Sequence, residues 1–317
     1  MRVLSVGEMM VDLVVHPVEH QIGFKNEAFL VKNIDIQSGG DANNNAVNFA
    51  KLGNRVTYCG LIGNDEMGDF VISSAVKYGI DMSHAKRSKT TGQSRTVILV
   101  NSEGNRTFIQ YSGSSPEFSF DDIDTSLLDE TDCLVIGGTF HMPSFDGEGT
   151  RKLLELAREK KVITAMDVTN DFTGRWNSVI KDCYPYLDYF LPSIEQAQAI
   201  SGYSTENETA DFFLQRGVKT AVIKYGEKGS YFKTAGKAFH CGIYHVPVAE
   251  PTGAGDAFVA GFLTAVGNGK EPEEAVRFAS AVSAFAVQAY GATAGVPDSG
   301  TVEAFIRKNP APKITYD

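Results

Sequence analysis

The sequence predicts an α/β protein: a mainly parallel central sheet covered by helices, with a small second sheet beside it. Two features of the 317-residue chain lead there. From Cys133 onward, short apolar runs alternate with segments of helical periodicity. That is the rhythm of strands and crossover helices, which builds a parallel sheet with helices on both faces. Residues 94–112 break the rhythm. SRTVILV and RTFIQYS flank the turn Ser102-Glu103-Gly104-Asn105, a hairpin pattern.

The elements follow in order. Arg2–Val6 is a strand closed by Gly7, and Met9–Val15 is a second apolar run containing Asp12. Gly39 and Gly40 break the chain, after which Ala46, Phe49, Ala50 and Leu52 recur at helical spacing. Gly53 is a natural C-cap. A strand (Val56–Leu61) and a helix (Met67–Tyr78) come next. Beyond the hairpin, strands are expected over 133–138, 162–168, 186–192, 220–226, 229–234 and within 237–248, including Tyr244–Val248. Helices are expected over 150–161, 194–202, 208–217, Asp256–Val266 and Pro272–Tyr290. The core is therefore residues 1–11, 37–91 and 113–317, and the small sheet 12–36 and 92–112.

Composition narrows the function. A hydrophobic content of 43% and a charged content of 21% permit a sizeable core. The net charge of -10, without a basic block, argues against nucleic acid or an anionic membrane as partner. No apolar run has the length of a membrane span, and the N-terminus reads as a strand rather than a signal peptide. Four scattered cysteines without a CxxC pair read as reduced thiols of a cytoplasmic protein.

Ligands of such sheets bind at the carboxyl ends of the strands. EPTGAGDAFVAGFL, Glu250–Leu263, is the most telling strand-end segment. Gly253, Ala254 and Gly255 lead into an uncharged helix, and free N–H groups at a helix start attract phosphate. Asp256 stands among them. An ordinary aspartate, with a pKa near ~3.9, is ionised at neutral pH, and the helix start should keep it so. There it can take the proton of a hydroxyl attacking the phosphate. The competing reading is a capping aspartate.

PTGAGDAF resembles the C-terminal signature of the PfkB (ribokinase-like) family of carbohydrate and nucleoside kinases. GGDANNNAVNFAKLGNRVTYCGLIGNDEMGDF, Gly39–Phe70, resembles its N-terminal signature. The resemblance covers essentially the whole chain and implies a three-layer α/β/α ribokinase-like fold with a small β-sheet lid. It implies ATP-dependent phosphorylation of a sugar hydroxyl, with ATP and Mg2+ as cofactors. Asp256 matches the catalytic base, and Gly253, Ala254 and Gly255 the anion hole. Asp12, Gly39, Gly40 and Asn44 match positions that grip sugar hydroxyls, although Asn44 read alone is also a solvated helix residue. Gly226 and Gly229 match the nucleotide segment. Lys224 there is either a phosphate partner or an edge-strand charge, and Ser280 falls near the expected adenine position. Arg106 in the lid hairpin is either a substrate or partner contact or a solvated charge. The resemblance also implies a homodimer formed through the lid.

Three departures stand out. PSIEQA puts Ser193 and Gln196 where the family has the Asn and Glu that organise Mg2+ through water, and moves the carboxylate to Glu195. Glu250 replaces an aspartate whose surroundings often support a monovalent cation, leaving K+ activation open. MDVTND, Met166–Asp171, departs from the usual sugar-acid-kinase pattern and points away from 2-keto-3-deoxygluconate. The alternatives are a nucleoside kinase on the same fold and a catalytically weak sugar- or nucleotide-sensing protein. A dinucleotide oxidoreductase lacks its glycine fingerprint after the first strand.

Overall fold

The computed structural model describes residues 1–19, 28–103 and 105–317. The expected turn residue Gly104, and residues 20–27 of the 12–36 segment, lie outside the described residues. The chain opens with β1 (Arg2–Gly7), β2 (Met10–His16), β3 (Asn33–Gly39), α1 (Asp41–Lys51), β4 (Arg55–Cys59), β5 (Leu61–Ile62) and α2 (Glu66–Val76). It continues through β6 (Lys86–Arg87), β7 (Arg95–Val100), β8 (Arg106–Tyr111), β9 (Cys133–Thr139), α3 (Glu148–Glu159), β10 (Ile163–Val168), α4 (Asn177–Ile180) and β11 (Tyr189–Phe190). The last third holds α5 (Ile194–Ser201), α6 (Glu206–Leu214), β12 (Thr220–Lys224), β13 (Ser230–Lys233), β14 (Ala238–Cys241), α7 (Ala254–Gly267), α8 (Pro272–Ala286), α9 (Ser299–Lys308) and β15 (Ile314–Tyr316).

The main sheet runs β15-β14-β13-β12-β11-β10-β9-β1-β4. From β12 to β4 all neighbours are parallel, while β13, β14 and β15 add antiparallel edges. The parallel strands are buried on both faces, as the unbroken burial of CLVIGGT in β9 records. One apolar layer packs α1, α7 and α8 on one face, and a second packs α3, α5 and α6 on the other. Phe262 of α7 is 1% exposed and sits edge-on to Tyr189 of the sheet. Truncating such a ring typically costs ~3–5 kcal/mol.

A second sheet of order β3-β2-β7-β8 stands apart. It is continuous with the core at Asp12, because β2 leaves the end of β1 after two residues. No described helix is long and apolar enough to cross a membrane. The four cysteines are free and buried.

Three expectations need correction. Tyr244–Val248 is not a strand: residues 242–251 lack regular structure. The place beside β14 is taken by β15, paired through Cys241↔Ile314, and Pro247 and Pro251 lack the N–H groups a ladder needs. Helix α7 starts at Ala254 with Gly253 as its N-cap, so Asp256 lies inside the first turn and is not a cap. Helix α8 stops at Ala286, not Tyr290; the Val287 carbonyl accepts N–H bonds from Ala249 and Glu250 instead of continuing the helix.

Candidate active site

Parallel strands deliver their carboxyl ends to one edge of the sheet, where a cavity of about 1280 Å³ opens. Its floor is the first turn of α7. Gly253 caps this helix with φ 76°, and a Cβ there would sit 2.1 Å from the Ala292 carbonyl oxygen. Only glycine fits both the left-handed backbone and that approach. Gly253, Ala254 and Gly255 line the cavity beside Asp256, so the first turn of α7 borders a space large enough for a nucleotide.

Asp256 is buried and accepts a hydrogen bond from Asn44 Nδ2 at 2.9 Å. Its carboxyl is pushed well above the ordinary range, first by burial and then by the charges of Asp41 and Asp167; Lys224 and Asn44 oppose this. The helix start therefore does not hold it at an ordinary aspartate value, contrary to the expectation from sequence. Asn44 is buried and not a solvated helix residue.

Lys224 closes β12, which lies between β11 and β13 and is not an edge. The edge-charge reading of Lys224 thus falls. Its Nζ donates to Asp167 Oδ2 at 2.5 Å, with the two side chains 14% and 4% exposed. The same Nζ would lie 3.3 Å from a Cβ on Gly255. It is a largely buried cation beside the first turn of α7. Asp41, the first residue of α1, also lines the cavity. Burial and the charges of Asp167 and Glu8 push it up to about 6, against His141 and Lys224.

The nucleotide-segment residues Gly226 and Gly229 line the same cavity, as do Ser193, Glu195, Gln196 and Ser280. Ser193 and Gln196 form a capping box. Ser193 Oγ accepts from Gln196 N–H, and Gln196 Oε1 accepts from Ser193 N–H at 2.7 Å. Gln196 Oε1 is thus engaged at the start of α5, while Glu195 is exposed and lines the cavity.

The remaining expected residues lie on the side of the small sheet. Asp12 packs its carboxylate against Gly39: a Cβ there would fall 2.0 Å from Asp12 Oδ2. Burial, followed by the charges of Glu8, Asp41 and Glu250, pushes Asp12 up to about 7. Gly40 lies over the Glu8 carbonyl. Arg106, at the start of β8, donates to Thr252 Oγ1, so the small sheet touches the residue before Gly253. Glu250 accepts from Thr252 Oγ1 at 2.7 Å and from Gly291 N–H at 2.8 Å.

A family model of pfkB family carbohydrate kinases matches residues 1–299. The chain belongs to the pfkB family of carbohydrate kinases. It is 29% identical over 290 residues to a 5-dehydro-2-deoxygluconokinase of Clostridium perfringens, covering 87% of this chain and 86% of that one. A crystal structure of ribokinase from Thermotoga maritima superposes with a TM-score of 0.82 at 28% identity, covering 97% and 99% of the two chains. An E. coli protein solved in complex with ATP and Mg2+ shares the fold at a TM-score of 0.84 and 21% identity, covering 97% and 99% of the two chains.

For this pfkB kinase, sequence reasoning gave no role to Asp41 or Asp167, both of which line the cavity. Asp167 was within reach because it stands at the end of β10, a strand of the parallel sheet, and Asp41 because it follows the glycine pair directly.

Proposed function

We propose that this chain phosphorylates a sugar hydroxyl with ATP, with Asp256 as general base. The observation that carries this is the position of Asp256. Its carboxylate joins the anion-binding first turn of α7 to Asn44 of α1, so one group borders both the phosphate side and the acceptor side. A sugar hydroxyl bound near Asp12, Gly39 and Asn44 gives its proton to Asp256 as its oxygen attacks the γ-phosphorus. The amides of Gly253–Asp256 hold the charge on the transferred group, and Lys224 adds a cation to it.

The raised carboxyl suits a base, because it binds the hydroxyl proton more firmly than an ordinary aspartate does. Among the described residues no three carboxylate, imidazole or thiol groups form a protein-only metal site. The oxygen-rich lining of Asp41, Asp167 and Glu195 suits Mg2+ carried on ATP with its water shell. When bound, Mg2+ neutralises phosphate charge. Glu250 has both carboxylate oxygens engaged, and Lys51 Nζ donates to the Thr293 and Ala294 carbonyls behind it. These protein groups brace the turn, and no step is assigned to K+.

The small sheet acts as the lid. Arg106 then senses closure through Thr252, and closure keeps water from the γ-phosphate. Ile34, Ile36, Phe108, Ile109 and Tyr111 are exposed on this sheet, which favours a homodimer through it. Light scattering on the purified chain tests that. The ATP requirement and the free thiols favour the cytoplasm.

The test of function is ADP release with Mg-ATP across ketoses, aldoses, sugar acids and nucleosides, beside Asp256→Asn. Sugar-dependent turnover that collapses in the variant supports the reading. Turnover on nucleosides alone redirects it to a nucleoside kinase. Binding without turnover on any substrate redirects it to a sensor.

A further inference from the structure

A second buried polar pair lies beside the acceptor side. Glu8 follows the end of β1, and His141 follows β9, its neighbour in the sheet. The two side chains meet, with His141 Nδ1 2.8 Å from Glu8 Oε2 and exposures of 12% and 3%. Phe172 lies flat on the imidazole, ring centroids 5.4 Å apart at 11°, although it is itself 70% exposed. Gln110 of β8 brings Nε2 to 3.5 Å from His141 Nδ1. The pair thus sits between Gly40, which covers the Glu8 carbonyl, and the small sheet.

Among the described residues two atoms of this pair have no partner: Glu8 Oε1 and His141 Nε2 are both buried without a hydrogen bond. Buried polar atoms are rarely left so, and each such gap asks for a ligand or a role. Structural salt bridges satisfy their remaining valences with protein groups; this one does not. Burial lowers the His141 pKa, but the Glu8 hydrogen bond and the charges of Glu8, Asp41 and Asp146 outweigh it and raise the value. These groups come from the β1–β2 connection, α1 and the segment before α3, while Phe172 and Gln110 are uncharged. With Nδ1 facing Glu8, Nε2 is a donor in the imidazolium form that these charges favour.

We propose that Glu8 and His141 are the specificity-determining grip on the acceptor. Glu8 Oε1 accepts from one sugar hydroxyl and His141 Nε2 donates to its neighbour, once Phe172 and β8 part to admit the ring. The feature recognised is a neutral vicinal diol. A carboxylate at that end of the substrate would face Glu8 and Asp12 and be repelled. This rests on the carbohydrate-kinase reading.

The test measures sugar affinity by calorimetry, and the Michaelis constants of sugar and ATP, for wild type, His141→Leu, His141→Gln and Glu8→Gln. The ligands are the best sugar of the panel and its monodeoxy analogues. Expected is a loss of sugar affinity of roughly tenfold or more in His141→Leu, partial rescue in His141→Gln, and an ATP constant within about twofold. One deoxy analogue should bind wild type as weakly as the parent sugar binds His141→Leu, and lose nothing further in that variant. Equal losses on every analogue, or parallel losses for sugar and ATP, overturn the grip and leave a structural pair. Glu8→Gln, close to isosteric, gives the same reading should His141→Leu not fold. A wild type that binds and phosphorylates sugars while all variants match it sinks this proposal alone. A wild type that binds no sugar sinks the kinase reading with it.

Discussion

The side-chain amide of Asn44 donates to the carboxylate of Asp256 at 2.9 Å, joining residues 212 positions apart. The bond brings the two signature segments of the chain together at one atom pair, and it fixes the direction in which the carboxylate points. Asp256→Asn is expected to lower kcat by about 10²–10⁴ with little change in ATP affinity. Asn44→Ala leaves the base in place but free to turn, and is expected to cost less, about tenfold in kcat/KM. Steady-state kinetics on both variants checks the order; an Asn44 effect equal to that of Asp256 would make Asn44 the more direct participant.

The crowding of Asp12, Asp41 and Asp256 gives stability a definite pH dependence. A carboxyl whose folded pKa is raised binds protons more tightly when folded, so its contribution is full below the unfolded value and is lost as pH rises through the folded one. For Asp12 the window runs from about 4 to about 7. The melting temperature of the ligand-free protein is expected to fall between about pH 4 and about pH 7, and Asp12→Asn to flatten that fall by a few degrees. Calorimetry across this range decides it; parallel curves for the two proteins would remove Asp12 as the cause.

Activity should run the other way. A general base must be unprotonated, so kcat/KM falls as pH drops through the raised pKa of Asp256. The acid limb is expected above the ordinary carboxylate range. A limb near pH 4 would mean that substrate and metal cancel the burial effect.

Lys224 and Asp167 form a largely buried ion pair. Lys224→Met strands a carboxylate near Asp41 and Asp256 and is expected to destabilise the fold by ~3–5 kcal/mol. Lys224→Met with Asp167→Asn should recover most of that stability but not ATP affinity. Denaturant melts and nucleotide titrations on the double variant separate the two roles. Full recovery of ATP affinity would reduce Lys224 to a structural residue.

The two glycines of the turn should respond differently. Gly253→Ala forces a Cβ into the Ala292 carbonyl at φ 76°, with a strain cost of at least ~1 kcal/mol, visible in the melting temperature. Gly255→Ala meets only the flexible end of Lys224 at 3.3 Å. It should fold normally and lose ATP affinity. Equal melting losses in both would contradict this.

Much of this was legible in the chain. Buried strands such as Cys133–Thr139 announce themselves because both faces are apolar, and Gly253–Gly255 because few other residues permit such a turn. Tyr244–Val248 misled because its apolar content resembles a strand, while the ladder position it would need is filled by residues 314–316, remote in sequence. The side-chain pairs Glu8–His141 and Lys224–Asp167 were illegible for a similar reason. Nothing near Lys224 in the chain says that β12 lies inside the sheet, with Asp167 facing it from β10.

The sequence by itself determined the class of fold, the family and the glycine turn that opens α7, since those rest on periodicity and on backbone chemistry local to a few positions. The ionisation of Asp12, Asp41 and Asp256 was decided only by the tertiary structure. So was the pairing of Lys224 with Asp167, and so was the joining of Asn44 to Asp256. Each depends on desolvation and on charges brought together from distant segments, and folding alone creates that environment.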